Sequence, residues 1–69
     1  MNKNCVIYFH LTNGVKLYIS KIHMRCLEEK EIHLTDNIIF AERFDKYEAE
    51  NISIMNWWKH IGEMTIELI

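Results

Sequence analysis

An Asn13-Gly14 dipeptide set between two alternating segments is the feature that most limits what this chain can fold into. Asn-Gly flanked by alternating apolar residues marks a β-hairpin, because its turn needs residues that accept positive φ. Two registers are open. A two-residue loop of Asn13-Gly14 pairs Leu11 with Lys16 and Ile7 with Ser20, which mixes apolar and polar residues on both faces. A three-residue loop, Thr12-Asn13-Gly14, pairs Leu11 with Val15, Phe9 with Leu17 and Ile7 with Ile19. The opposite face then carries His10 with Lys16, Tyr8 with Tyr18 and Val6 with Ser20. A slip of one residue moves a whole strand to the wrong face, so the apolar pattern selects the three-residue loop. That loop implies a type I turn with Gly14 in the left-handed region. Cys5, Ile7, Phe9, Leu11, Val15, Leu17 and Ile19 are expected to form one dry face.

Beyond Ile19 the phase of the pattern changes. Ile22, Met24 and Cys26 become the apolar set, alternating with Lys21, His23 and Arg25. A bulge or bend near Ser20 and Lys21 accounts for the change. A long, bent second strand suits a small half-open barrel. Residues 27–30 read as a turn, and residues 31–35 as a short strand with Ile32 and Leu34 inward. The fold class expected is mainly β: a small antiparallel sheet or half-open barrel that begins with strands at about 4–12 and 15–26. Met64, Ile66 and Leu68 mark a last strand.

Two readings compete for the segment between them. In one, residues 38–44 form a strand with Ile38, Phe40 and Phe44 on one side, and residues 52–58 form another. In the other, Thr35 or Asp36 caps a helix at about 36–50, with Phe40, Phe44 and Tyr47 as its apolar stripe. The Glu- and Ala-rich run 41–50 favours helix, and the Ile-rich start favours strand.

At 69 residues the chain makes a single domain. So short a chain buries only about 60% of the surface its unfolded form exposes. With 49% hydrophobic residues, some apolar area remains on the surface of a monomer, and a homo-oligomer is expected. The net charge is −2, with no bias toward nucleic acid or membrane. Its distribution is uneven. Residues 1–27 carry Lys3, Lys16, Lys21 and Arg25 and no acid, whereas residues 28–50 carry eight acids against Lys30, Arg43 and Lys46. The two stretches either neutralise each other across the fold or leave an acidic face for a basic partner. There is no secretory signal and no apolar run of spanning length, so a cytoplasmic protein with free Cys5 and Cys26 is expected. The Asn51-Ile52-Ser53 sequon carries no meaning there. The 11 Ile, 6 Asn and 6 Lys against 2 Ala and no Pro fit an AT-rich genome, such as a low-GC bacterium or its phage.

The layout resembles two kinds of protein. The hairpin with a bent second strand is similar to the start of a small Sm-like barrel, without the glycine and polar signatures of an Sm RNA-binding site. The path from Val6 through Leu11-Thr12-Asn13-Gly14-Val15 to Glu50-Asn51-Ile52-Ser53-Ile54 resembles short phage or prophage accessory proteins. That resemblance implies a protein that binds a host factor, such as a defence or regulatory protein, and inhibits it.

Catalytic and metal chemistry find little support. His10, His23, His33 and His60 with the two cysteines hold no ligand spacing: Cys5 with His10, and His23 with Cys26, point to opposite faces of a strand. No nucleophile motif is present, and Glu28/Glu29 and Glu48/Glu50 sit in solvated positions. No metal, cofactor or enzymatic activity is expected. Adjacent Trp57 and Trp58 cannot both enter one core face, so one of them is a candidate interface anchor, with Tyr8 and Tyr18. Glu48 and Glu50 are the candidate acids of the same partner-binding set. The function expected is a small protein-binding module, its partner a host protein with a basic surface. The alternative is single-stranded nucleic acid bound by Tyr8, His10, Lys16, Tyr18 and Arg25. A third is a structural homo-oligomer subunit.

Overall fold

The computed structural model describes residues 3–24, 30–55 and 61–69. Its strands are β1 (Cys5–His10), β2 (Lys16–Met24), β3 (Lys30–Thr35) and β4 (Glu63–Leu68). They form one open antiparallel sheet in the order β3-β2-β1-β4. A helix, α1 (Lys46–Met55), lies between β3 and β4 in the chain. The sheet is open, not a closed or half-closed barrel.

The hairpin takes the three-residue loop. Tyr8 pairs with Tyr18, Phe9 with Leu17 and His10 with Lys16. The Leu11 N–H donates to the Val15 carbonyl at 3.0 Å, and the Gly14 N–H to the Leu11 carbonyl at 3.0 Å. Gly14 has φ 85, in the left-handed region that a Cβ disfavours. The Asn13 side chain accepts from the Val15 N–H at 3.1 Å and steadies the loop.

The ladder with β1 ends at Tyr8–Tyr18, so the expected pairs Ile7–Ile19 and Val6–Ser20 do not form. The reason lies at Ser20. Ile19 pairs with Leu34 and Lys21 with His33, which leaves Ser20 as a bulge. The bulge turns β2 away from β1, and chain from further along fills the opening. Cys5 and Phe44 exchange both backbone hydrogen bonds, at 2.9 and 2.8 Å, and the Glu42 N–H donates to the Ile19 carbonyl at 2.8 Å. Glu42 and Phe44 therefore satisfy backbone groups that a longer hairpin would have paired.

Of the two expectations for residues 36–50, the helix forms, shifted to Lys46–Met55, and the strand at 38–44 does not. Residues Ile38–Phe40 form a single 3-10 turn capped by Asn37, whose side chain accepts from the Ile39 N–H at 3.0 Å. Of the proposed apolar sets only Phe44 is buried, while Phe40 and Tyr47 are 66% and 70% exposed. The helix starts ten residues later than the early cap positions would put it. Residues 52–55, expected to begin a strand, belong to α1. Asp45 begins the helix by a reciprocal capping box. Its carboxylate accepts from the Glu48 N–H at 2.8 Å, and the Glu48 carboxylate accepts from the Asp45 N–H at 3.2 Å.

The core occupies one face of the sheet. Cys5, Ile7, Phe9 and Ile19 are fully buried there, joined by Phe44, Ala49 and Ile52. Ile22, Ile32, Leu34, Ile61, Met64 and Ile66 pack around them. Each fully buried aliphatic or aromatic side chain contributes about 1.5–3 kcal/mol. Val15, expected in the dry face, is 40% exposed, because the hairpin tip runs beyond the core cluster. Among the described residues, no helix is long and apolar enough to cross a membrane.

Candidate binding face

Strand alternation sends every second residue to the side away from the core. Pairing aligns these residues into rows. One row crosses all four strands: Thr65 on β4 faces Tyr8 on β1, Tyr8 faces Tyr18 on β2, and Tyr18 faces Thr35 on β3. A second row runs from Glu63 through His10 to Lys16. Farther along, Lys21 faces His33 and His23 faces Glu31. Val6, opposite Glu67, is fully buried although it alternates to this side.

The centre of the face is the tyrosine pair. The ring centroids are 5.6 Å apart at 60°, an edge-to-face contact, and the Lys16 Nζ stands 4.6 Å from the Tyr8 ring centroid. Edge-to-face pairs gain about 0.5–1.5 kcal/mol beyond their buried area. The cation over the ring adds about 0.5–1 kcal/mol at a solvated site. Both contacts hold the Tyr8 ring against its neighbours. The described charges around it are mixed: Lys16 and Lys21 against Glu31, Glu63 and Glu67. The Glu31 carboxylate lies 2.8 Å from the His33 Nε2.

The expected site residues divide among separate places. Tyr8, His10, Lys16 and Tyr18 come together on this face. Arg25, Trp57 and Trp58 lie outside the described residues. Glu48 and Glu50 sit on α1, which covers the core side of the sheet, so they are not on the tyrosine face. Glu48 is committed to the helix cap and also lies 3.7 Å from the Lys3 Nζ. Glu50 is exposed. Sequence reading did not include Thr35, Thr65, Lys21, His33 and Glu63 in this face. The alternation of Glu63, Thr65 and Glu67 with Met64, Ile66 and Leu68 was the available signal, but it does not say which strand β4 joins.

An open groove of about 570 Å³ lies at one end of the sheet, lined by His10, Leu11, Thr12, Asn13, Ile61, Gly62 and Glu63. Gly62 closes on β1 there. A Cβ at this position would stand 3.2 Å from the His10 carbonyl oxygen. Among the described residues, no group of three or more His, Cys, Asp or Glu side chains is placed to hold a metal ion. Comparison with known protein families, curated proteins and solved structures finds no match for this chain.

Proposed function

We propose that this chain is a small non-enzymatic protein-binding module that works through the sheet face centred on Tyr8 and Tyr18. The observation that carries this reading is the row Thr65–Tyr8–Tyr18–Thr35, an ordered aromatic centre bordered by charges of both signs. Protein interfaces have that anatomy, with tyrosine enriched at the centre and charge at the rim. The partner is a protein with a basic surface, drawn to the exposed acids Glu31, Asp36, Glu42, Glu50 and Glu63. The phage-type resemblance adds that such a partner is a host protein that the chain inhibits.

Single-stranded nucleic acid is the second reading, favoured by the Lys16–Tyr8 contact and by His10 beside it. Among the described residues of this face, two lysines support about two phosphate contacts and a logarithmic salt slope of roughly 1.4 for a single strand. Three carboxylates on the same face oppose them. Charge therefore ranks a protein partner first.

The test is affinity capture with the wild type and with Tyr18→Ala, alongside titration of a labelled oligothymidine. The reading expects one captured protein, with affinity reduced about 30-fold in Tyr18→Ala, the ~2 kcal/mol of an interface hot spot. Salt-dependent oligothymidine binding that is lost in Tyr8→Ala and Lys16→Ala would replace it with the nucleic-acid reading.

A further inference from the structure

Both outer strands of the sheet present an edge, and their charges differ in what they allow. Among the described residues, no strand pairs with the outer edge of β3 or of β4. Such an edge offers a row of unpaired N–H and C=O groups to another strand. When two identical edges join antiparallel in one continuous sheet, the twofold axis is perpendicular to the sheet, and residues directly opposite share a face. A residue must then lie on the axis, opposite its own copy.

For β4 the central choices are Thr65 and Ile66. On Thr65, each Glu63 faces the partner's Glu67. On Ile66, each Glu67 faces the partner's Thr65 and no basic or histidine side chain. Like charges directly opposite are destabilising, so the first register is resisted, and the second brings no complementary pair together. For β3 the result is reversed. With Ile32 on the axis, each Glu31 faces the partner's His33 and each His33 faces the partner's Glu31. Ile32 meets the partner's Ile32 on the core side. Glu31 and His33 are already held 2.8 Å apart along one strand, which presents both groups on the same face before association.

We propose that two copies of this chain join through the outer edges of β3, antiparallel and centred on Ile32, into one eight-stranded sheet. The contact does not use the tyrosine faces and sets both on the same side of the dimer. A partner with two sites then meets two platforms on one rigid surface. The pairing is independent of what the tyrosine face binds.

Sedimentation velocity over a concentration series tests it with His33→Glu, Glu31→Lys and the double variant Glu31→Lys/His33→Glu. Wild type sediments as a dimer at high concentration. His33→Glu places Glu opposite Glu twice and raises the dissociation constant about tenfold or more. The double variant restores two Lys–Glu pairs and returns dissociation toward the wild-type value. Mixing the two folded single variants gives a heterodimer, since each then faces its complement. Circular dichroism establishes that each variant is folded, and the mixing experiment decides the matter where the double variant is not. A monomeric wild type, a dimer indifferent to His33→Glu, or folded variants with no rescue on mixing overturns the proposal. Rescue that fails only in the folded double variant moves the axis off Ile32 and overturns the register.

Discussion

Replacing Asp45 with alanine removes the acceptor that starts α1, and its cost can be worked from the geometry. A ten-residue helix is marginal on its own, so α1 depends on its cap and on Ala49 and Ile52 in the core. Asp45 accepts from the Glu48 N–H at 2.8 Å and is only 8% exposed. Loss of an N-cap side chain costs about 1 kcal/mol, within a range of roughly 0.5–2. The near-burial of Asp45 limits water's access to the freed N–H and sets the expected cost at about 1–2 kcal/mol. A chain of 69 residues has a total stability of about 3–10 kcal/mol. The substitution is thus a large fraction of the whole, and Tm falls about 4–15 °C. Thermal unfolding followed by far-ultraviolet circular dichroism measures it. Asp45→Asn keeps a good capping acceptor and costs about 0.5 kcal/mol or less. A Tm for Asp45→Ala within about 1 °C of wild type, well below the few degrees that half a kcal/mol gives, refutes the capping role. Equal losses for Asn and Ala would assign the effect to charge, not to the hydrogen bond.

Gly14→Ala costs about 1 kcal/mol in urea unfolding, because φ 85 is strained for a residue with a Cβ and nothing within 4 Å of that Cβ adds a clash. Gly14→Asn costs less, since asparagine tolerates that region. Ile7→Ala at a fully buried position costs about 2–5 kcal/mol and lowers the urea midpoint sharply, whereas Ile7→Val costs about 1 kcal/mol and lowers it much less. Cys5 is fully buried, so in a Cys26→Ser background its thiol reacts with an aromatic disulfide reagent only at the rate of unfolding. A prompt reaction in native buffer would contradict the core assignment.

The first half of the fold was legible because period-two alternation is a local signal. Phe9 opposite Leu17, Tyr8 opposite Tyr18 and the left-handed Gly14 all follow from one register choice. The change of phase after Ile19 was legible too, and it is the Ser20 bulge. The consequence of that bulge was not. Where β2 departs, Glu42 and Phe44 take up the backbone bonds of Ile19 and Cys5, and no local pattern pairs residues so far apart. The helix expected within 36–50 was misplaced for a second reason. Apolar spacing at Phe40, Phe44 and Tyr47 suggested a stripe, but Phe40 and Tyr47 face solvent and only Phe44 faces the core. The Asp45-x-x-Glu48 pair was the stronger signal, because a cap states where a helix begins while a weak stripe does not. Of the candidate site, the tyrosine pair was readable from the hairpin alone. The threonines that extend its row come from β3 and β4, whose places in the sheet depend on tertiary pairing.

The claim that most needs testing is that one side of the sheet is closed by core and helix while the other, centred on Tyr8 and Tyr18, receives the partner. Titrating the isotope-labelled chain with the captured protein tests it directly by amide chemical-shift changes. The account predicts the largest changes at Tyr8, Lys16, Tyr18, Thr35 and Thr65, with α1 nearly unmoved. Changes concentrated at Tyr47, Glu50 and Ile54, with the tyrosine row silent, would place the working surface on the helix and contradict the account.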